Sequence, residues 1–248
     1  MTYCVGMKTA KGIVYMADTR TNSGVDNISV FKKLFRWEVP GERLIVLMTA
    51  GNLATTQALV SQLDERQKRP DERRPSLHDV PTMFQAASLV GKMLRGLIEN
   101  QAMAGDEQRA ETKLFNATLI LGGQIAGMEP RLYLIYPEGN FIEATDDTPF
   151  FQIGETKYGR PILIRGHDSA MSFEDAVKLT MVSFDSTLKA NLSVGMPLDF
   201  LVQQDGRFSP LHEQRIERND PYFASISDGW GDALRQAFHS LPDYSFDD

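Results

Sequence analysis

Among its 248 residues the chain has a single cysteine, Cys4. That excludes an internal disulfide and any multi-cysteine metal site, and it fits a reducing, cytoplasmic setting. Histidine is scarce too: His78, His167, His212 and His239 include no pair at a metal-ligand spacing such as i, i+4 on one helix. No catalytic metal and no other cofactor is therefore expected. No stretch reaches the roughly 18–20 consecutive apolar residues of a membrane-spanning helix. An excess of positive charge is also missing, since 33 acidic against 26 basic residues give a formal net charge of -7. A phosphate-backbone binder would show a basic patch or stripe, so neither nucleic acid nor a membrane is expected as a partner. The start, Met1-Thr2-Tyr3-Cys4, lacks the basic region, longer apolar run and small-residue cleavage site of a secretory signal. Removal of Met1 alone would expose Thr2.

What is present is a regular alternation of short apolar runs and amphipathic stretches. Residues 2–8 and 12–18 flank Thr9-Ala10-Lys11-Gly12, and residues 31–38 and 43–49 flank Val39-Pro40-Gly41-Glu42. Both read as pairs of strands around a turn, which makes four strands before the first helix. Over residues 51–67, Leu53, Thr56, Val60 and Leu63 recur every three or four positions as a helix requires, and a charged stretch over 64–74 closes it. Residues 82–103 carry a wider apolar stripe that includes Leu89, Val90, Met93, Leu94 and Leu97. Strand-like runs follow at 116–123, 131–136, 140–144 and 149–154, then helices near Lys157 and over 172–190, then strands at 198–204 and 213–218. Each sheet needs a cover for its outer face, so this order predicts an α+β fold, a four-layer αββα sandwich of two antiparallel sheets. Without repeats, low-complexity tracts or linkers, residues 1–248 read as one domain. Its end, 222–248, carries Tyr222, Phe223, Trp230, Leu234 and Phe238 at helical spacing and reads as a segment that docks on the body or on a neighbouring subunit.

Thr2 is the residue with chemistry of its own. A threonine hydroxyl is a poor nucleophile alone, but at a chain terminus the α-amino group, with a reference pKa of about 7.7–8.0, supplies a base on the same residue. His167-Asp168-Ser169 does not compete, because three consecutive side chains cannot converge as a catalytic triad does. Gly122-Gly123 and Gly127 lack the strand and helix flanks of a dinucleotide fingerprint and are expected to relax a strand end. Cys4 reads as a small buried apolar residue of the first strand.

Four blocks stand in a telling order: Thr2 at the mature start, Ala17-Asp18-Thr19-Arg20, Phe31-Lys32-Lys33-Leu34 and Thr49-Ala50-Gly51. With Leu119-Ile120-Leu121-Gly122-Gly123 and the run from Leu132 to Gly139, they resemble a proteasome β-type subunit, an N-terminal-nucleophile (Ntn) hydrolase. Asn191-Leu192-Ser193-Val194-Gly195-Met196-Pro197-Leu198-Asp199 is most similar to the bacterial Anbu (ancestral β subunit) group. The resemblance implies Thr2 as nucleophile and base, Asp18 and Lys33 as its charge partners, and the Gly51 N–H as oxyanion donor. The interval after Asp18 is one residue short of the usual pattern, which leaves Lys32 as a rival to Lys33. Gly154-Glu155-Thr156 stands where the family has Gly-Ser-Gly, and Asn191 where it has Asp, with Asn191 and Ser193 as supporting residues. A substrate pocket would draw on Thr21, Phe31, Thr49, Leu53 and Gln57. The implied function is a self-compartmentalising threonine-type peptidase or amide hydrolase that forms an acyl-enzyme and assembles as a homo-oligomer, in a ring or an open helical turn. Its substrate would be a peptide or protein-derived amide, with an activator or an amide-ligase system as candidate partner. The alternatives are a catalytically silent shell subunit and an Ntn amidohydrolase acting on a specialised small amide.

Overall fold

The computed structural model describes residues 2–22, 28–68, 75–103 and 112–246. Met1, residues 69–74 of the charged stretch and the last two residues of the docking segment lie outside the described residues. Six strands, not four, precede the first helix: β1 (Tyr3–Thr9), β2 (Gly12–Asp18), β3 (Arg20–Asn22), β4 (Ile28–Val30), β5 (Leu34–Val39) and β6 (Arg43–Gly51). The two extra strands form a separate ribbon of three residues each, too short to show an alternation in sequence. Helices α1 (Leu53–Lys68) and α2 (Met83–Met103) follow, then β7 (Ala117–Ile125), β8 (Arg131–Ile135), β9 (Phe141–Glu143) and β10 (Phe150–Gly154). The chain ends with α3 (Arg160–Gly166), α4 (Phe173–Ala190), β11 (Leu198–Gln204), β12 (His212–Ile216) and α5 (Pro221–His239).

The strands build two five-stranded antiparallel sheets, in the orders β10-β1-β2-β11-β12 and β5-β6-β7-β8-β9. Period-2 geometry divides their side chains among three cores. Cys4, Tyr15 and Ala17 of the first sheet meet Leu44, Val46, Met48 and Ile120 of the second between the sheets. Tyr3, Val5, Met7, Val14 and Met16 face Leu163 of α3 and Met181 and Phe184 of α4. Ile45, Leu47, Leu119 and Leu121 face Leu59 of α1 and Val90 and Leu94 of α2. This is the αββα sandwich. Both faces of β1, β2 and β6 are covered, which is why these strands read as unbroken apolar runs rather than as apolar–polar alternation.

Local chemistry sets the helix starts. Ser172 caps α4, its Oγ accepting from the Asp175 N–H at 3.0 Å, and Asp220 caps α5 through Phe223 N–H at 2.8 Å. Gly122 lies inside β7 rather than relaxing its end, because a Cβ there would sit 2.3 Å from the Tyr15 hydroxyl oxygen of the facing sheet. Helix α5 has no buried residue, although Phe223 and Ile226 lean on the α4 core. Among the described residues no helix is long and apolar enough to cross a membrane.

Candidate active site

Five segments end at one edge of the sandwich: the start of β1, the end of β2, the link into β5, the end of β6 and the end of β10. They bring Thr2, Asp18, Lys33, Gly51 and Gly154 together. A cavity of about 350 Å³ is lined by Thr2, Thr21, Lys33, Thr49, Ala50, Gly51, Leu53, Thr56 and Gly154. Asp18 lies behind Lys33, fully buried.

Asp18 and Lys33 form an ion pair, Nζ to Oδ1 2.7 Å, with side-chain exposures of 0% and 5%. The Asp18 Oδ1 also accepts the Tyr3 N–H at 3.0 Å, and its Oδ2 accepts the Gly195 N–H at 3.2 Å. Lys33 Nζ donates further to the Arg20 carbonyl, and the Lys33 carbonyl accepts from Thr49 N–H at 3.0 Å. Burial pushes the Asp18 carboxyl above its ordinary range, while the Lys33 ammonium and the two backbone N–H groups pull it back. Such a pair is a weak source of net stability, since desolvating both charges offsets their attraction. Lys32 settles elsewhere, its Nζ 5.9 Å from the centroid of the Phe35 ring, so the lysine beside Asp18 is Lys33.

Two glycines are required by their backbones. Gly154 has φ +83°, and a Cβ there would lie 1.9 Å from the Thr2 carbonyl oxygen. Gly51 has φ +114°, and its Cβ would lie 2.4 Å from the Asn116 carbonyl oxygen. Gly51 is the last residue of β6 rather than the first of the helix. Asn52 caps α1, its Oδ1 accepting from Thr55 N–H at 3.0 Å, so Gly51 sits at the positive end of that helix.

Behind Thr2 runs a second polar chain. The Glu155 N–H donates to the Thr2 carbonyl at 2.6 Å, and its Oε2 accepts from Asn191 Nδ2 at 2.8 Å. Asn191, the residue that ends α4, accepts the Ser193 N–H at 2.9 Å through Oδ1, while Glu155 Oε1 accepts Lys157 N–H at 2.9 Å. Asn191 and Ser193 thus reach Thr2 through Glu155. The signal for Glu155 in the sequence is the substitution in Gly154-Glu155-Thr156.

Of the five residues expected in the pocket, Thr21, Thr49 and Leu53 line the cavity. Phe31 is held by its N–H to the Thr19 carbonyl at 2.8 Å, Gln57 is exposed on α1, and neither is in the lining. Thr56 takes a place that sequence reasoning missed, although its i+3 spacing from Leu53 puts both on one face of α1. His167-Asp168-Ser169 forms a loop, with a His167 ring nitrogen 3.0 Å from the Lys8 carbonyl and the Ser169 carbonyl accepting Ala10 N–H at 2.8 Å. Cys4 is fully buried, and its Sγ lies 3.8 Å from the Thr49 carbonyl across the two sheets.

A protein-family model described as proteasome subunit matches residues 2–200. Among solved structures, Anbu from Yersinia bercovieri is 45% identical with a TM-score of 0.91, covering 99% of this chain and 100% of its own. Anbu from Hyphomicrobium sp. strain MC1 is 49% identical with a TM-score of 0.88, covering 98% and 100%. A helical assembly of the Anbu complex from Pseudomonas aeruginosa is 44% identical with a TM-score of 0.90, covering 99% of both chains. No curated protein matches the chain.

Proposed function

We propose, from the premise that this chain belongs to the proteasome subunit family and within it to the Anbu group, that it is a threonine-type amide hydrolase whose nucleophile is Thr2. The observation that carries the proposal is one cavity lined by Thr2, Lys33 and Gly51, with Asp18 bonded to Lys33 from behind. The reading requires removal of Met1. Thr2 then has a hydroxyl and a free amine, and the neighbouring ammonium of Lys33 favours the deprotonated form of each. Asp18 holds that ammonium in place and compensates its charge.

The hydroxyl attacks the substrate carbonyl while the amine takes its proton. The Gly51 N–H stabilises the negative charge on the tetrahedral oxygen. Collapse of the intermediate breaks the C–N bond, and the Thr2 ammonium returns the proton to the leaving amine. Water, deprotonated by the same amine, then hydrolyses the ester and frees the acyl group. Glu155, with Asn191 and Ser193, fixes the backbone of Thr2 during these steps. No cofactor takes part.

The substrate is a peptide or a protein-derived amide, delivered by an activator or an amide-ligase system, and the subunits form a homo-oligomer as a ring or an open turn. That one relative is solved as a helical assembly supports the oligomer. Intact mass and N-terminal sequencing of the assembled protein, before and after an epoxyketone probe that reacts with both the hydroxyl and the free amine, test the chemistry. A chain that starts at Thr2 and gains one probe mass, lost in Thr2→Ala, is the expected result. A chain that keeps Met1 and takes no probe fits the silent shell subunit instead.

A further inference from the structure

An oxyanion donor carried by a glycine has to be held by its neighbours, because glycine has more backbone freedom than any other residue and no side chain to pack. Under the proposed function Gly51 is such a donor, and the alternation along β6 sets the direction of its N–H. The Thr49 N–H goes to the Lys33 carbonyl at 3.0 Å and the Asn52 N–H to the Asn116 carbonyl at 2.9 Å, on opposite sides of the strand. Alternation therefore turns the Gly51 N–H to the Lys33 side. Its counterpart there, in the register that pairs Leu34 with Met48, is Phe31, which lies before β5 begins and gives its own N–H to the Thr19 carbonyl. The Gly51 N–H thus faces the cavity, and no pairing with β5 fixes it.

The hold comes from the other side of the strand, through Asn52. Besides its N–H bond to Asn116, its Nδ2 donates to the Leu114 carbonyl at 2.9 Å and its Oδ1 accepts the Thr55 N–H at 3.0 Å. One short side chain joins the first turn of α1 to the helical turn Thr112–Phe115 that leads into β7. Thr55, fully buried, carries the link on to α2, its hydroxyl donating to Gln101 Oε1 at 2.6 Å. Capping alone does not call for asparagine, since serine and aspartate cap as well. A carboxamide differs from both in offering an acceptor and an N–H donor on one side chain.

We infer that Asn52 is a positioning residue of the oxyanion site: by tying the start of α1 to the segment before β7, it fixes the peptide that follows Gly51 and keeps the Gly51 N–H aimed at the oxygen that becomes negative. Asn52 is not in the cavity lining and acts through Gly51. A donor fixed in advance costs no reorganisation at the moment of reaction. The inference rests on the proposed roles of Thr2 and Gly51.

The test compares Asn52→Ser, Asn52→Ala and Ser172→Ala with the unsubstituted protein, all as the full assembled chain. Each is followed by its urea midpoint, by the rate at which a peptide epoxyketone with leucine beside the warhead labels Thr2, and by periodate oxidation of Thr2. Labelling passes through an oxyanion when the hydroxyl adds to the ketone, whereas periodate needs only the adjacent free amine and hydroxyl. Asn52→Ser keeps a cap and removes the donor to Leu114. Its midpoint and its periodate oxidation should hold while labelling slows about tenfold, a part of the roughly 10²–10³-fold that loss of a whole oxyanion donor costs. Asn52→Ala should slow labelling as much and lower the midpoint too. Ser172→Ala removes the cap of α4, which does not border the cavity, so it should lower the midpoint and leave labelling unchanged. Labelling of Asn52→Ser at the unsubstituted rate overturns the inference alone, as does equal slowing in Ser172→Ala. A loss of labelling matched by an equal loss of periodate oxidation also overturns it, because the damage then lies at Thr2 itself. An unsubstituted chain that takes no epoxyketone overturns the Thr2 assignment and the inference with it.

Discussion

At the N-terminal end Asp18 and Lys33 are drawn inside at 0% and 4% exposure, whereas at the C-terminal end Phe238, Tyr244 and Phe246 stand 71%, 81% and 91% exposed. Each end works against the usual partition of charged residues to the surface and aromatic residues to the core. The buried pair is saturated with partners: the carboxylate takes the lysine and two backbone N–H groups, and the lysine adds the Arg20 carbonyl. The exposed aromatics make edge-on contacts with close neighbours in the chain, Phe238 with His239 at 5.7 Å and Tyr244 with Phe246 at 5.0 Å. A buried charge that adds little net stability, and an apolar stripe that nothing among the described residues covers, are two features that the needs of folding alone leave unexplained. Under the proposed function the first would serve chemistry and the second association, so the two should fail independently.

The largest effect is expected from splitting the pair. Lys33→Ala leaves Asp18 buried and uncompensated, a loss of about 3–5 kcal/mol, with labelling of Thr2 abolished. Replacing both partners, Asp18→Leu with Lys33→Met, should recover most of that stability in urea unfolding while labelling stays absent. Persistent labelling in the double variant would deprive Lys33 of its chemical role.

Gly154→Ala comes next. Its positive φ alone costs about 1–2 kcal/mol, and the added methyl must displace the Thr2 carbonyl, so both the unfolding midpoint and the labelling rate should fall. Gly41→Ala is the control, because Gly41 also has positive φ (+74°) but open space around its Cβ position. It should lower the midpoint and leave labelling intact.

At the other end, Leu234→Ser with Phe238→Ser should reduce the particle mass in light scattering and change the unfolding free energy by no more than about 0.5 kcal/mol. An unchanged mass would mean that the segment is not a docking surface.

The smallest effect concerns protons. Burial, with Asp18 next in effect, raises the Cys4 thiol far above its ordinary range, and burial does the same to the Tyr3 and Tyr15 hydroxyls. The folded state therefore holds protons that the unfolded chain releases, so the stability these groups contribute is present below their unfolded pKa and lost as pH rises above it. For Cys4 the loss starts above about pH 8.5, at up to 1.36 kcal/mol per pH unit. Cys4→Ala should delay the alkaline fall of the urea midpoint until the tyrosines titrate near pH 10. The native chain should also resist thiol alkylation near neutral pH, at which an unfolded sample is modified.

Much of the architecture was legible along the chain because it follows from local rules. Apolar runs marked strands covered on both faces, the three-to-four spacing marked α1 and α2, and Lys-Gly and Pro-Gly marked turns. What escaped was short or non-local. The β3–β4 ribbon is below the length at which alternation can be seen. Helix α3 begins at Arg160, with a proline in its first turn, rather than near Lys157. In the site, Thr2, Asp18, Gly51 and the alternatives Lys32 and Lys33 could be named from motif blocks, but Glu155 and Thr56 could not be placed. Their roles depend on β10 lying beside β1 and on α1 lying over the end of β6.

By itself the sequence determined the order of strands and helices, and with it the layered sandwich, since periodicity and turn chemistry act over a few residues. Only the tertiary structure decided which lysine meets Asp18, which residues wall the cavity and how Asn191 reaches Thr2. Those contacts join positions from 15 to more than 150 residues apart. They are fixed by strand register, where a shift of one residue turns every side chain to the opposite face.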